Sequence, residues 1–239
     1  MRFGAIGPSD LPLNGLTIGQ RSLAILRVRP ILFYSETPTT KRRKAAKLVA
    51  NSTRDNLIQA GLDLFHRHGI HLVGLDRILQ KAGVTKTTFY NHFESKEHFS
   101  CAVIDRFGEE LHARIHRRFD ASHSDDVKQH LLAVFDAWDQ LSSGKVFRGC
   151  LLVGAGVASG DRNDPARQAA IRNKRKLLEA YQDLATSAGI KNARRFATRF
   201  GLLVDGALIA RHLYDDRAEI EEARKMAEQL INEELAKIR

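Results

Sequence analysis

Apolar residues recur at three- and four-residue spacing through most of this chain, and the breaks between periodic stretches fall at glycine, proline and small polar residues. From Thr53, the positions Leu57, Ile58, Gly61, Leu62 and Phe65 make one helical face, with Asn51, Ser52 and Thr53 as N-cap choices and Gly69 as the C-terminal stop. Two short periodic stretches follow, Leu75 to Ala82 and Lys86 to Phe93, separated by Gly83-Val84-Thr85. A longer helix starts after the cap Ser95. Its apolar face runs through Phe99, Val103, Phe107, Leu111 and Ile115, and Glu97 in its first turn suits the positive end of the helix. Beyond Asp120 the spacing predicts helices over about 125–142, 149–160, 164–188, 191–214 and 217–238. No stretch alternates as a strand does, so the expected fold class is all-α. Residues 1–40 show no sustained period; the expected organisation is a weakly ordered basic extension over 1–50, a three-helix unit over 51–98 and a helical remainder over 99–239.

Charge changes this picture by its location. The formal net charge is +10, and residues 1–100 hold 15 Lys+Arg against 7 Asp+Glu, while residues 101–239 hold 23 against 21. A basic N-terminal part on a near-neutral body points to a polyanionic partner for that part. The run Lys41-Arg42-Arg43-Lys44 with Lys47 is either a solvated linker or an arm that follows a DNA backbone or enters a minor groove. No apolar run is long enough to span a bilayer, and Arg21, Arg27, Arg29, Pro8, Pro12 and Pro30 interrupt the early apolar stretches, so neither a membrane span nor export is expected. Two cysteines, Cys101 and Cys150, do not make a disulfide framework, and a reducing cytoplasm fits.

Two short helices joined by a glycine-containing turn describe a helix-turn-helix, or else an ordinary helical hairpin with its polar residues facing water. Gly83 supplies a positive φ at the turn, Thr85 caps the second helix, and Ile78, Val84, Phe89 and Phe93 face inward. Lys86, Thr87, Thr88, Tyr90, Asn91 and His92 then lie on its outward part, an inventory suited to base edges and phosphates in a major groove.

The stretch from Thr53 to Phe99, above all Ala82-Gly83-Val84-Thr85-Lys86-Thr87-Thr88-Phe89-Tyr90-Asn91-His92-Phe93-Glu94-Ser95-Lys96-Glu97, resembles the DNA-binding domain of the TetR (tetracycline-repressor-like) family. The resemblance covers about a fifth of the chain. It implies a bacterial cytoplasmic transcriptional regulator, not an enzyme and without a cofactor: a repressor released from a palindromic operator by a small-molecule effector, or by an electrophile where the thiol of Cys150 is the sensor. It further implies that Lys86, Thr87 and Thr88 approach bases, that Tyr90 and His92 contact bases or phosphate, that Asn91 varies with operator, and that Lys96 binds phosphate. The chain departs from the family where the first helix of the motif is preceded by Val73-Gly74 rather than Thr-Thr, which removes a hydroxyl cap and phosphate contact.

For the helical remainder, the resemblance implies a homodimer built from the last two helices. The expected surface is Phe200, Leu203, Val204, Ala207, Leu208 and Arg211 with Met226, Leu230 and Ile231; the alternative is that these faces complete an intramolecular core. The effector is expected among the central helices, near Phe107, Leu111, Phe135, Trp138, Cys150, Val153 and Tyr181. Cys150, beside Arg148 and near a helix start, is either a thiol activated for oxidants or electrophiles or a buried small hydrophobe. His112 and His116, and the cluster His66, His68 and His71, are explained by solvated helix faces rather than a metal site.

Overall fold

The computed structural model describes residues 38–121, 126–142 and 148–238, and all regular structure among them is helical. In chain order the helices are α1 Pro38–His68, α2 Leu75–Ala82, α3 Lys86–Tyr90, α4 Lys96–Ala121, α5 Val127–Ser142, α6 Leu151–Ala158, α7 Pro165–Ser187, α8 Ala193–Tyr214 and α9 Ala218–Ala236. None is long and apolar enough to cross a membrane.

Local chemistry explains most boundaries. Gly69 and Gly83 take φ of +77° and +66°, left-handed values that glycine adopts without a Cβ penalty, and each ends the helix before it. Asp164 accepts from the Arg167 N–H at 2.8 Å at the start of α7, with Pro165 at its first position. Two boundaries differ from expectation. Helix α1 begins at Pro38, so Asn51, Ser52 and Thr53 are interior positions rather than caps; from Thr39 to Asn51 there is neither glycine nor proline to stop it. Helix α3 ends at Tyr90, three residues early, because the chain tightens through Asn91 and His92 to turn Phe93 into the core.

An aromatic cluster holds α1, α3 and α4 together. Phe99 is fully buried, with ring centroids 5.9 Å from Phe65, 5.4 Å from Phe89 and 5.0 Å from Phe93. Gly61 lets the α1 backbone meet this ring, since a Cβ there would lie 2.6 Å from Phe99 Cζ and 2.7 Å from Val103 Cγ2. Helix α4 then carries the unit into the body. On α7, Asn173 donates to Asp105 Oδ1 of α4 at 2.6 Å, and Gly108 leaves the room that Asn173 occupies.

A second cluster centres on Phe200, fully buried, with Tyr181 at 5.0 Å, Phe135 at 5.6 Å and Phe196 at 5.8 Å. This corrects the expected dimer surface: Phe200, Val204, Ala207, Leu208, Arg211 and Ile231 are buried within one chain, Leu203 and Leu230 are partly buried, and only Met226 is exposed. The apolar face left open lies a fraction of a turn away. It comprises Leu202, Ile209, Leu213 and Tyr214 with Met226, and Leu202 and Leu213 are each 67% exposed.

The ring nitrogen Nε2 of His112, on α4, is buried without a hydrogen-bond partner. Burial, helped by His116 and Lys176, lowers its pKa from 6.5 to about 4. The unfolded chain therefore takes up this proton near pH 6.5 and the folded chain only near 4, so stability is lost as pH falls across that window. We expect the thermal midpoint to drop between pH 6.5 and 4, and the drop to shrink in His112→Gln.

Candidate nucleic-acid interface

The α2–turn–α3 unit is fixed from three sides. At the turn, Gly83 N–H donates to Gln80 O and Val84 N–H to Leu79 O, at 3.3 and 3.1 Å, closing the end of α2. Thr85 Oγ1 accepts from the Thr88 N–H at 3.2 Å and lies 2.9 Å from Thr88 Oγ1, so both hydroxyls are engaged at the start of α3. Gly74 precedes α2 without a side-chain cap, as its lack of a hydroxyl requires. From α1, Asn56 Nδ2 donates to Ala82 O at 2.9 Å and the Arg54 guanidinium lies 5.2 Å from the Phe93 ring centre. Sequence periodicity had no signal for these two contacts, which join positions far apart in the chain.

Ile78, Phe89 and Phe93 are buried and Val84 partly buried, which leaves the opposite side of α3 to solvent. Lys86, Thr87, Tyr90 and Asn91 are exposed, Thr85 is exposed at the cap, and Thr88 and His92 are half-buried. Tyr90 stands edge-on to Phe89, ring centroids 5.4 Å apart at 90°, while 47% of its surface stays open. At the start of α4, Ser95 Oγ accepts from the His98 N–H at 3.1 Å, and the Glu94 N–H donates to His98 Nδ1 at 3.4 Å. Backbone N–H groups and the Ser95 hydroxyl hold the Glu97 carboxyl below its usual range. Lys96 is half-buried here. It lines a cleft of about 90 Å³ with Ile70, His71, Glu97, Ser100 and Asp164, between the three-helix unit and the start of α7.

The cap has a measurable consequence. Thr85→Ala removes the acceptor for the Thr88 N–H and should lower stability by about 1 kcal/mol, seen as a reduced urea midpoint at unchanged slope.

The structure sorts the expected effector residues. Leu111, Phe135, Trp138, Cys150 and Tyr181 are buried and Val153 partly so; Phe135 and Tyr181 meet through Phe200. Phe107 instead faces α1, with its ring 5.2 Å from that of His66. Cys150 is not activated: complete burial pushes its thiol up and outweighs the backbone N–H groups of α6 that favour the thiolate. Arg148 does not serve as its partner, because Arg148 Nη1 reaches back to Arg67 O at 3.2 Å, at the C-terminal end of α1. The histidine cluster diverges: His68 Nε2 lies 2.8 Å from Arg77 Nη2, and His71 Nε2 lies 4.0 Å from Asp164 Oδ2.

Residues 57–100, which hold this unit, match the family of bacterial regulatory proteins named tetR. That match covers the helix-turn-helix region and not the helical body. Among proteins similar to this chain is the HTH-type transcriptional activator FasR of Mycolicibacterium smegmatis, 30% identical over 101 residues, 42% of this chain and 45% of that protein. Another is the HTH-type transcriptional repressor NemR of Escherichia coli, 26% identical over 133 residues, 55% and 66% of the two chains. The match thus spans about half to two thirds of the length of these relatives. In fold, the TetR-family regulator SCO4454 of Streptomyces coelicolor superposes with a TM-score of 0.71 over 77% of this chain and 97% of its own, at 24% identity.

Proposed function

We propose that this chain is a TetR-family, sequence-specific DNA-binding transcriptional regulator, a repressor released from a palindromic operator by a small-molecule effector. It acts in the bacterial cytoplasm, on the nucleoid when bound, without enzymatic activity or cofactor. The carrying observation is the open face of α3, where Lys86, Thr87, Tyr90 and Asn91 stand exposed on a helix held rigidly from behind by Phe89 and Phe93. Bidentate and hydroxyl donors on such a face, Thr88 among them, read base edges, while Thr85, His92 and Lys96 position the helix on phosphates. The effector lies among Leu111, Phe135, Trp138, Cys150, Val153 and Tyr181, and Phe107 passes its effect to α1 through His66.

One recognition helix reads few bases, so two copies related by a two-fold axis give the needed specificity. The open stripe Leu202, Ile209 and Leu213 on α8, with Met226 on α9, is the self-complementary surface. Leu202→Glu with Leu213→Glu should shift the sedimentation of the chain from dimer to monomer and weaken operator binding. A variant that stays dimeric would place the interface elsewhere.

Footprinting of the intergenic DNA beside its own gene tests the whole reading. Protection of a two-fold symmetric site, with transcription rising when the gene is deleted, is expected. No protected site at physiological salt would refute DNA regulation, and falling transcription on deletion would make the chain an activator, as the relative FasR is named.

A further inference from the structure

The basic run of residues 41–47 is not used by the recognition face, yet its five Lys and Arg equal half of the net charge of +10. Residues 38–54 contain six Lys+Arg and no Asp or Glu, whereas residues 55–239 hold 28 against 26. The same segment is the first half of α1, continuous in backbone with the DNA-binding unit. An unbroken helix over residues 38–53 projects about 24 Å, twice the roughly 12 Å width of a major groove.

Its direction follows from contacts at the two ends of the rest of α1. Near the C-terminal end, the His66 ring packs on Phe107 and Arg67 O accepts from Arg148, so that end faces the body. At positions 54 and 56, Arg54 covers the Phe93 ring just after α3 and Asn56 closes the end of α2. Asp55 also pairs with Arg106, so α1 lies against α4 at this level too, and the chain upstream of Arg54 starts from the helix-turn-helix side.

We infer that residues 38–53 form a helical arm that grips the DNA phosphate backbone beside the segment read by α3, adding affinity without sequence preference. The inference rests on the DNA-binding function proposed above. A continuous helix presents no extended strand to a minor groove, so of the two uses the sequence left open for an arm, backbone tracking is the one its form suits. Four consecutive positions, Lys41 to Lys44, wrap a full turn of 3.6 residues, so about two or three of the five basic residues meet phosphates at once.

The test compares the full chain with K41Q/R42Q/R43Q/K44Q/K47Q, and with a charge-conserving variant in which those lysines and arginines are exchanged. Each is titrated against a duplex carrying the footprinted site and against a scrambled duplex over a range of salt. Each phosphate contact contributes about 0.9 to the slope of log K against log salt, so the Gln variant should lose about 2 units of slope per bound chain. Its preference for the site over the scrambled duplex should stay unchanged, and the exchanged variant should keep the original slope.

A Gln variant with the original slope and affinity overturns the arm, whatever becomes of the operator reading. A Gln variant that keeps its slope but loses site preference would make these residues base readers and equally overturn it. If the unaltered chain binds both duplexes alike while the Gln variant loses slope, the arm stands and sequence-specific regulation falls. If the unaltered chain binds neither duplex, both fall. Unchanged circular dichroism and thermal midpoint in the Gln variant keep a folding defect from imitating the effect.

Discussion

Replacing Phe99 with alanine lowers the stability of the DNA-binding unit by about 3–5 kcal/mol, the largest loss expected from any single side chain in it. Phe99 is fully buried at the point where rings from α1 and from α3 and its following turn converge on α4. Because Gly61 brings the α1 backbone against the same ring, the space left by the phenyl group is bounded by backbone and does not collapse easily. Domains of this kind are held by about 5–15 kcal/mol in total, so a large share of the margin goes. Helix α3, only five residues long, has no independent stability and loses its orientation with the cluster. Urea unfolding should show a lowered midpoint, and operator binding should weaken in parallel. Phe99→Leu, which keeps part of the apolar volume, should cost less than Phe99→Ala. A loss below about 1 kcal/mol for Phe99→Ala would mean the cluster does not hold α3 in place.

The second large effect leaves the fold intact. Lys86, Thr87 and Tyr90 are exposed, so a K86A/T87A/Y90A variant should unfold at nearly the same urea concentration as the parent chain. Its operator preference should nevertheless collapse, since each lost base contact is worth about 1–3 kcal/mol of discrimination, or roughly five- to over a hundredfold. Weak, salt-sensitive binding to any duplex should persist, carried by Lys96 and by the basic arm. A variant that still preferred the operator by the parental margin would move base reading away from α3.

What was legible in the sequence follows the range of the interactions involved. Helix α2 and the starts of α3, α4 and α7 depend on residues within three positions: Gly83 at its turn, Thr85 and Ser95 as caps, Asp164 before Pro165. Such signals are local and were read with bounds close to those observed. The start of α1 at Pro38 carries a sequence signal, Thr37 before Pro38, but the basic stretch after it lacks an apolar face that would reveal a helix by periodicity. Helix α8 was misread in rotation. It carries apolar residues on two sides, with Phe196, Phe200, Val204 and Leu208 on the buried one and Leu202, Ile209 and Leu213 on the open one, so periodicity does not say which side meets the chain's own core.

The candidate site divides in the same way. The outward residues of α3 follow from their offsets to Phe89 and Phe93 and were found from sequence alone. Of the two readings of Cys150, the buried small hydrophobe is the one the structure supports, because Arg148 spends its guanidinium on Arg67 O, a partner 81 positions away. Phe107 likewise belongs with His66 of the DNA-binding unit, a contact no spacing rule suggests.

The central claim is that α3 reads a DNA sequence, and competition between duplexes at physiological salt tests it most directly. The full chain is bound to a labelled duplex carrying the footprinted palindrome and displaced with unlabelled copies of the same site or of a scrambled one. We predict that the palindrome competes at least about 10³-fold better; equal competition by the two duplexes would contradict the account.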